Sequence, residues 1–167
     1  MSKNPIFYVM GVSGCGKSTI GKLLAKEFDI PFFDGDDFHP EANVQKMAAG
    51  NPLNDVDRQG WLERLNHLSI EYKNKGVVIA CSALKETYRN ILEQSITQQV
   101  EFVYLEGTFN EISERLQQRE NHFMPSGLLQ SQFDALEIPP DAITVSIIDT
   151  PQEIISKIIK HYKTKKP

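Results

Sequence analysis

Residues 11–18 read Gly-Val-Ser-Gly-Cys-Gly-Lys-Ser and fill every fixed position of the pattern G-x-x-x-x-G-K-[ST]. Chemistry that handles phosphate needs these residue types at this spacing. Gly11, Gly14 and Gly16 let the backbone curl so that the N–H groups of the loop, from Gly11 and Val12 through Ser13, Cys15 and on to Thr19, turn toward phosphate oxygens. A helix N-terminus directly behind the loop adds positive potential. Lys17 reaches the outer phosphates, and the Ser18 hydroxyl is placed for Mg²⁺.

A second group of chemically able residues is Asp34-Gly35-Asp36-Asp37-Phe38-His39-Pro40. Phosphoryl transfer needs phosphate and metal clamps, a positioned acceptor hydroxyl and cations for developing charge. Asp34 and Asp36 can divide two of these tasks. One carboxylate holds Mg²⁺, directly or through water, and the other accepts the proton of the attacking hydroxyl. Asp37 reads as a surface or capping residue. Arg115 and Arg119 lie four apart on one helix face and precede Asn121-His122-Phe123-Met124-Pro125. That arrangement predicts a small lid over about residues 119–127, its arginines set to neutralise a transferring phosphoryl group.

The elements that must position these residues alternate. Apolar runs predict strands at 6–10, 31–34, 77–81, 101–105 and 144–148. Helical spacing covers 17–28, 56–74, 84–95, 109–119, 126–136 and 151–162, and Thr108–Glu111 and Thr150–Glu153 are capping boxes. Such alternation implies a three-layer α/β/α fold with a five-stranded parallel sheet, its ligands at the carboxyl ends of the strands. The third strand ends without an aspartate, which argues against motor- or transporter-type ATPases. At 167 residues one domain, 1–167, is the expectation.

With 18 Lys and Arg against 22 Asp and Glu, the net charge is −4, a poor balance for nucleic-acid binding. The basic cluster Lys160, His161, Lys163, Lys165 and Lys166 reads as a solvated tail. No signal peptide or membrane span is expected, and two cysteines suit a cytoplasmic protein rather than a disulfide framework. Cys15 and Cys81 read as two small buried side chains in a reducing environment; the other reading is an oxidant-sensitive Cys15, since thiolates are favoured near helix N-termini.

Beyond the loop, the blocks Asp34–Pro40, Asn43-Val-Gln-Lys46-Met47, Gly50 through Leu62, Cys81-Ser82-Ala-Leu-Lys85, Tyr88-Arg89 and Ser131-Gln132-Phe133 with Leu136-Glu137 keep a specific order and spacing. In them the chain resembles bacterial-type gluconokinases, small members of the nucleoside-monophosphate-kinase-like group of P-loop kinases that includes shikimate kinase. The resemblance implies ATP-dependent phosphorylation of the 6-hydroxyl of D-gluconate, with Mg²⁺ held at Ser18 and Asp34. It places Asp36 at the acceptor hydroxyl. Arg58, Lys85 and Arg89 become candidates for the sugar-acid carboxylate and hydroxyls, with His39 and Ser82 beside them. Lys17, Asp36 and Arg119 would carry the chemistry, and Pro151 would pack on the adenine with Arg115 or Arg119 on its other face. A homodimer is also implied. His39 fits a helix-start cap equally well, Lys46 has no evident task, and Trp61 reads as core packing. Shikimate kinases carry a glycine triplet after the third strand; Cys81-Ser82-Ala83 stands there instead, which disfavours shikimate.

Overall fold

The computed structural model describes residues 4–118 and 126–165. Five strands, β1 (Ile6–Met10), β2 (Phe32–Asp34), β3 (Val77–Ala80), β4 (Val100–Glu106) and β5 (Ile143–Ser146), form one parallel sheet in the order β2-β3-β1-β4-β5. The helices are α1 (Lys17–Phe28), α2 (Glu41–Ala48), α3 (Asp55–Glu71), α4 (Glu86–Leu92), α5 (Phe109–Gln118), α6 (Ser126–Ala135) and α7 (Pro151–Lys165). The expected fold class is thus the observed one.

Burial on both faces explains why the strands read as unbroken apolar runs. Along β1, Phe7 and Val9 pack with α1, α5 and α7, whereas Ile6, Tyr8 and Met10 pack with Trp61, Leu62 and Leu65 of α3 and Leu92 of α4. All five β1 side chains are fully buried. The period-2 alternation of a strand therefore feeds two separate apolar layers.

Local chemistry sets the element ends. Thr108 and Glu111 form the expected capping box, the Thr108 N–H donating to Glu111 at 2.7 Å and the Glu111 N–H to the Thr108 hydroxyl at 3.2 Å. The start of α3 carries a reciprocal box between Asn54 and Asp57, so the helix begins at Asp55, and it ends at Glu71 instead of 74. The short helix α2 and the 3-10 turn Gly35–Phe38 were not expected. The turn is nucleated by Asp34, whose carboxylate accepts the Asp36 N–H at 3.0 Å. Of the C-terminal basic residues, Lys160, His161, Lys163 and Lys165 are exposed on the last turns of α7, as a solvated segment at a helix C-terminus should be, and the Lys165 ammonium also pairs with the buried Glu101 at 2.6 Å.

Candidate active site

The loop after β1 curls as its glycines permit. Gly16 caps α1 in the left-handed region at φ 98°, and Gly11 takes φ 146°. A Cβ on Gly11 would come within 2.7 Å of the Cys15 sulfur and 3.1 Å of the Leu105 carbonyl. The loop is tied to the third strand by the Gly11 N–H, which donates to the Ser82 carbonyl at 3.3 Å. Lys17 folds back over the loop and donates to the Gly11 and Val12 carbonyls, each at 3.1 Å. Val12 and Cys15 turn their side chains into the core, so only their backbone is left for a ligand. Burial pushes both thiols up, Cys81 to about 12, although Lys17 pulls the other way on each. Cys15 is 2% exposed and is not the ionised, oxidant-accessible thiol that its helix position suggests.

Ser18 donates its hydroxyl to Asp34 at 3.1 Å, bringing together the two oxygen donors expected at a metal. Two hard oxygen ligands suit Mg²⁺, which commonly takes one or two protein ligands and completes its shell with phosphate and water. Among the described residues no group of three or more His, Cys, Asp or Glu could form an all-protein metal cage.

The turn after β2 then projects Asp36 into a cleft of about 730 Å³. Its walls include Ser13, Gly14, Gly16–Thr19, Asp34, His39, Arg58, Trp61, Ser82 and Gln132. The crowded cleft and the neighbouring Asp34 charge push the Asp36 carboxyl above its ordinary value, against the pull of Lys17. The Asp36 side chain is itself 85% exposed, so the Asp34 charge is the firmer cause. Gly35 makes this placement possible, because a Cβ there would lie 2.5 Å from the Ala80 carbonyl.

His39 and Trp61 stack with ring centroids 4.2 Å apart, and the indole N–H donates to the Gly35 carbonyl at 2.8 Å. Trp61 is therefore both core and cleft wall. Asn43 Nδ2 also donates to the Asp57 carbonyl at 2.9 Å, which orients its amide; at 3.3 Å from His39 Nδ1 it makes that nitrogen the acceptor. The His39 proton then sits on Nε2, 3.9 Å from Asp36. Burial lowers the His39 pKa, and the imidazole is neutral at pH 7. Lys46 acquires a role here: it grips Asp57 at 2.5 Å and fastens α2 to the start of α3.

The three candidates for the sugar-acid carboxylate part company. Arg58 lines the cleft and donates to the Tyr88 hydroxyl at 3.3 Å. Lys85 lies outside the cleft wall and is engaged with Asp55 at 3.3 Å. Tyr88 donates a short hydrogen bond to the same carboxylate, which holds Asp55 below the usual range. Arg89 is only 6% exposed and spends its guanidinium on two backbone carbonyls, Ala83 at 2.7 Å and Glu137 at 2.8 Å. It braces the turn that presents Ser82, where Ala83 sits at φ 47°, and does not reach the cleft. Strand-end reasoning missed this because it cannot tell which way a residue one turn into a helix points.

Arg115 stands beside the loop, 3.8 Å from where a Cβ on Gly16 would be, and donates to the Ile147 carbonyl. Pro151 opens α7 on the exposed surface, outside the cleft wall. Arg119, and the 119–125 portion of the expected lid, lie outside the described residues. Gln132, a cleft residue without an assigned task in the sequence reading, bonds Ser13.

Comparison with known proteins agrees with this geometry. The shikimate kinase family model matches residues 13–162. The thermosensitive gluconokinase of Escherichia coli K12 is 49% identical over 135 residues, covering 80% of this chain and 72% of that protein. The gluconokinase of Gluconobacter oxydans 621H is 42% identical over 170 residues, covering 98% and 94%. A crystal structure of a gluconokinase from Sinorhizobium meliloti 1021 superposes with a TM-score of 0.86 at 35% identity, covering 98% of both chains. Among the described residues no helix is long and apolar enough to cross a membrane. A phosphate loop facing a strand-end aspartate, together with these likenesses in sequence and structure, establishes that the chain belongs to the gluconokinase family of P-loop kinases, within the wider group described by the shikimate kinase model.

Proposed function

We propose that the protein transfers the terminal phosphoryl group of ATP to the 6-hydroxyl of D-gluconate, giving 6-phospho-D-gluconate and ADP. One observation carries the reading: Asp36 and Arg58 share a cleft with the phosphate loop. The family relatives named as gluconokinases support the choice of acceptor.

In this reading the loop amides and Lys17 hold the β- and γ-phosphates, Lys17 leaving the Gly11 and Val12 carbonyls for phosphate oxygens. Asp36 receives the proton of the 6-hydroxyl as that oxygen bonds to phosphorus and the bond to the ADP oxygen breaks. His39, neutral and fixed by Asn43, has its Nε2–H on the side of Asp36, 3.9 Å from the carboxylate. Arg58 supplies a fork that matches a carboxylate, with Ser82 near the sugar hydroxyls. Ser18 and Asp34 would hold Mg²⁺, which supplies charge neutralisation on the phosphates when bound. Arg115, followed in sequence by Arg119, is the cation source for the developing charge. The two unpaired, buried thiols suit work in a reducing cytoplasm.

The test is a coupled ADP-release assay with Mg-ATP and gluconate, shikimate, glucose and several nucleoside monophosphates as acceptors. Turnover that depends on gluconate, with 6-phosphogluconate as product, is expected. Turnover on another acceptor alone would overturn the substrate assignment.

A further inference from the structure

Helix α6 presents Gln132 to the phosphate loop. Its carboxamide spends both ends on a single residue: Oε1 accepts the Ser13 N–H at 2.7 Å, and Nε2 donates to the Ser13 hydroxyl at 3.0 Å. A backbone N–H can only donate, so the orientation of the carboxamide is fixed by its partner. The contact spans 119 residues of sequence.

Ser13 and Gln132 line the same cleft as Lys17 and Ser18. Lys17, the residue that reaches the β- and γ-phosphates in a loop of this pattern, rests its ammonium on the carbonyls of Gly11 and Val12. The next residue along is Ser13. Val12 and Ser13 share one trans peptide unit, whose carbonyl accepts from Lys17 and whose N–H, on the opposite side, donates to Gln132.

The base of Gln132 is firmly held. Five residues on, the Glu137 N–H donates to the Leu84 carbonyl at 2.8 Å, and the Glu137 carboxylate accepts the Glu86 N–H at 2.9 Å. The Glu137 carbonyl accepts from Arg89. Leu136 packs into the apolar layers on both faces of the sheet. Residues 132–137 thus run as a strap from the phosphate loop to the start of α4.

We propose that Gln132 is a positioning residue for the terminal phosphoryl group of the nucleotide, acting through Ser13. It fixes the orientation of the Val12–Ser13 peptide, on whose carbonyl rests Lys17, the residue that reaches for that group. A carboxamide suits the task because it satisfies the amide without bringing negative charge toward an incoming phosphate. The inference rests on the kinase reading above, and nucleotide affinities measured without acceptor separate the two.

Calorimetry with ADP and with a non-hydrolysable ATP analogue tests it, alongside steady-state kinetics and thermal unfolding. In Gln132→Ala, kcat should fall about tenfold while KM for gluconate stays within about twofold. The ATP analogue should weaken more than ADP. Gln132→Glu keeps an acceptor for the Ser13 N–H; its melting temperature should match wild type while the analogue binds still more weakly. The Ser13→Ala/Gln132→Ala double variant should be no slower than Gln132→Ala, because one acts through the other. Equal weakening of ADP and analogue, or a lowered melting temperature with kcat unchanged, would make Gln132 a structural brace and overturn the proposal. If gluconate is not phosphorylated but the analogue-against-ADP difference appears, the substrate assignment falls and this inference stands.

Discussion

The hydroxyl of Ser18 and the carboxylate of Asp34 meet at 3.1 Å although sixteen residues separate them. They belong to the first turn of α1 and the last residue of β2, and β3 lies between β1 and β2 in the sheet. The helix therefore crosses over β3 to bring the loop's hydroxyl to the end of a strand that is not its neighbour. The result is a pair of oxygen donors at the edge of the phosphate cradle, with Asp36 two residues farther along.

Ser18→Ala and Asp34→Asn should each cut turnover by about 100-fold or more, if the pair holds Mg²⁺ against the phosphates. Both variants should also need more Mg²⁺ for half-maximal rate. Turnover measured across a Mg²⁺ series checks this, with circular dichroism confirming the fold. An unchanged Mg²⁺ requirement in both variants would remove the pair from the metal site.

Asp36→Asn should lower kcat by about 10²–10⁴-fold, the usual contribution of a positioned base. Its pKa lies above the ordinary 3.8, so the wild-type rate should fall as pH drops through that raised value, and the fall should be missing from the variant. Stability carries the opposite sign. The folded chain binds this proton more tightly than the unfolded chain does. The contribution is therefore present in full below 3.8 and is lost as pH rises through the raised folded value. Asp36→Asn should consequently melt no lower than wild type at pH 7. A clear drop in melting temperature would show that the carboxylate stabilises the turn.

The strand–loop–helix frame and the strand-end aspartates were legible because parallel strands buried on both faces read as apolar runs, and because ligand chemistry gathers at their carboxyl ends. Strand order was not legible: nothing in β2 or β3 names its neighbour. The 3-10 turn and α2 were hidden by Asp-Gly-Asp-Asp and His-Pro, which read as loop chemistry. The signals were nonetheless present in Asp34, which caps the turn, and in Glu41 just after Pro40. The start of α3 was also written in Asn54 and Asp57. Arg89 shows the firmer limit. Its type and place suggest an anion ligand, but the packing of α4 turns it onto backbone carbonyls.

Arg89→Ala should cost about 2–4 kcal/mol of stability, since it empties a buried volume and orphans two carbonyls. Lysine cannot serve both carbonyls with one ammonium, so Arg89→Lys should recover only part of the loss. Lys85→Ala removes a half-exposed ion pair and should leave the melting temperature within a few degrees. Denaturant titration and gluconate KM, measured together, separate brace from ligand. A raised KM with unchanged stability in Arg89→Ala would mean that the guanidinium reaches the substrate after all.

Trp61 is the chain's one tryptophan, and its ring lies against His39 within the cleft. An imidazolium stacked on an indole quenches its fluorescence, whereas a neutral imidazole does so much less. Because burial holds the His39 pKa below its ordinary 6.5, emission should be steady from pH 8 down to about 6.5 and fall only under more acid conditions. In His39→Asn the acid fall should vanish. Gluconate binding near Asp36 and Arg58 should change the emission of the wild type at pH 7.5, giving a direct titration of the acceptor site without turnover. Trp61→Phe should lose that signal together with the hydrogen bond to the Gly35 carbonyl, and should cost about 1–2 kcal/mol of stability. The bond holds the residue just before Asp36, so kcat should drop in this variant more than the KM for ATP rises. Emission that ignores both pH and gluconate would show that the stacked pair stands apart from the acceptor, and the assignment of Arg58 to the sugar acid would have to be withdrawn with it.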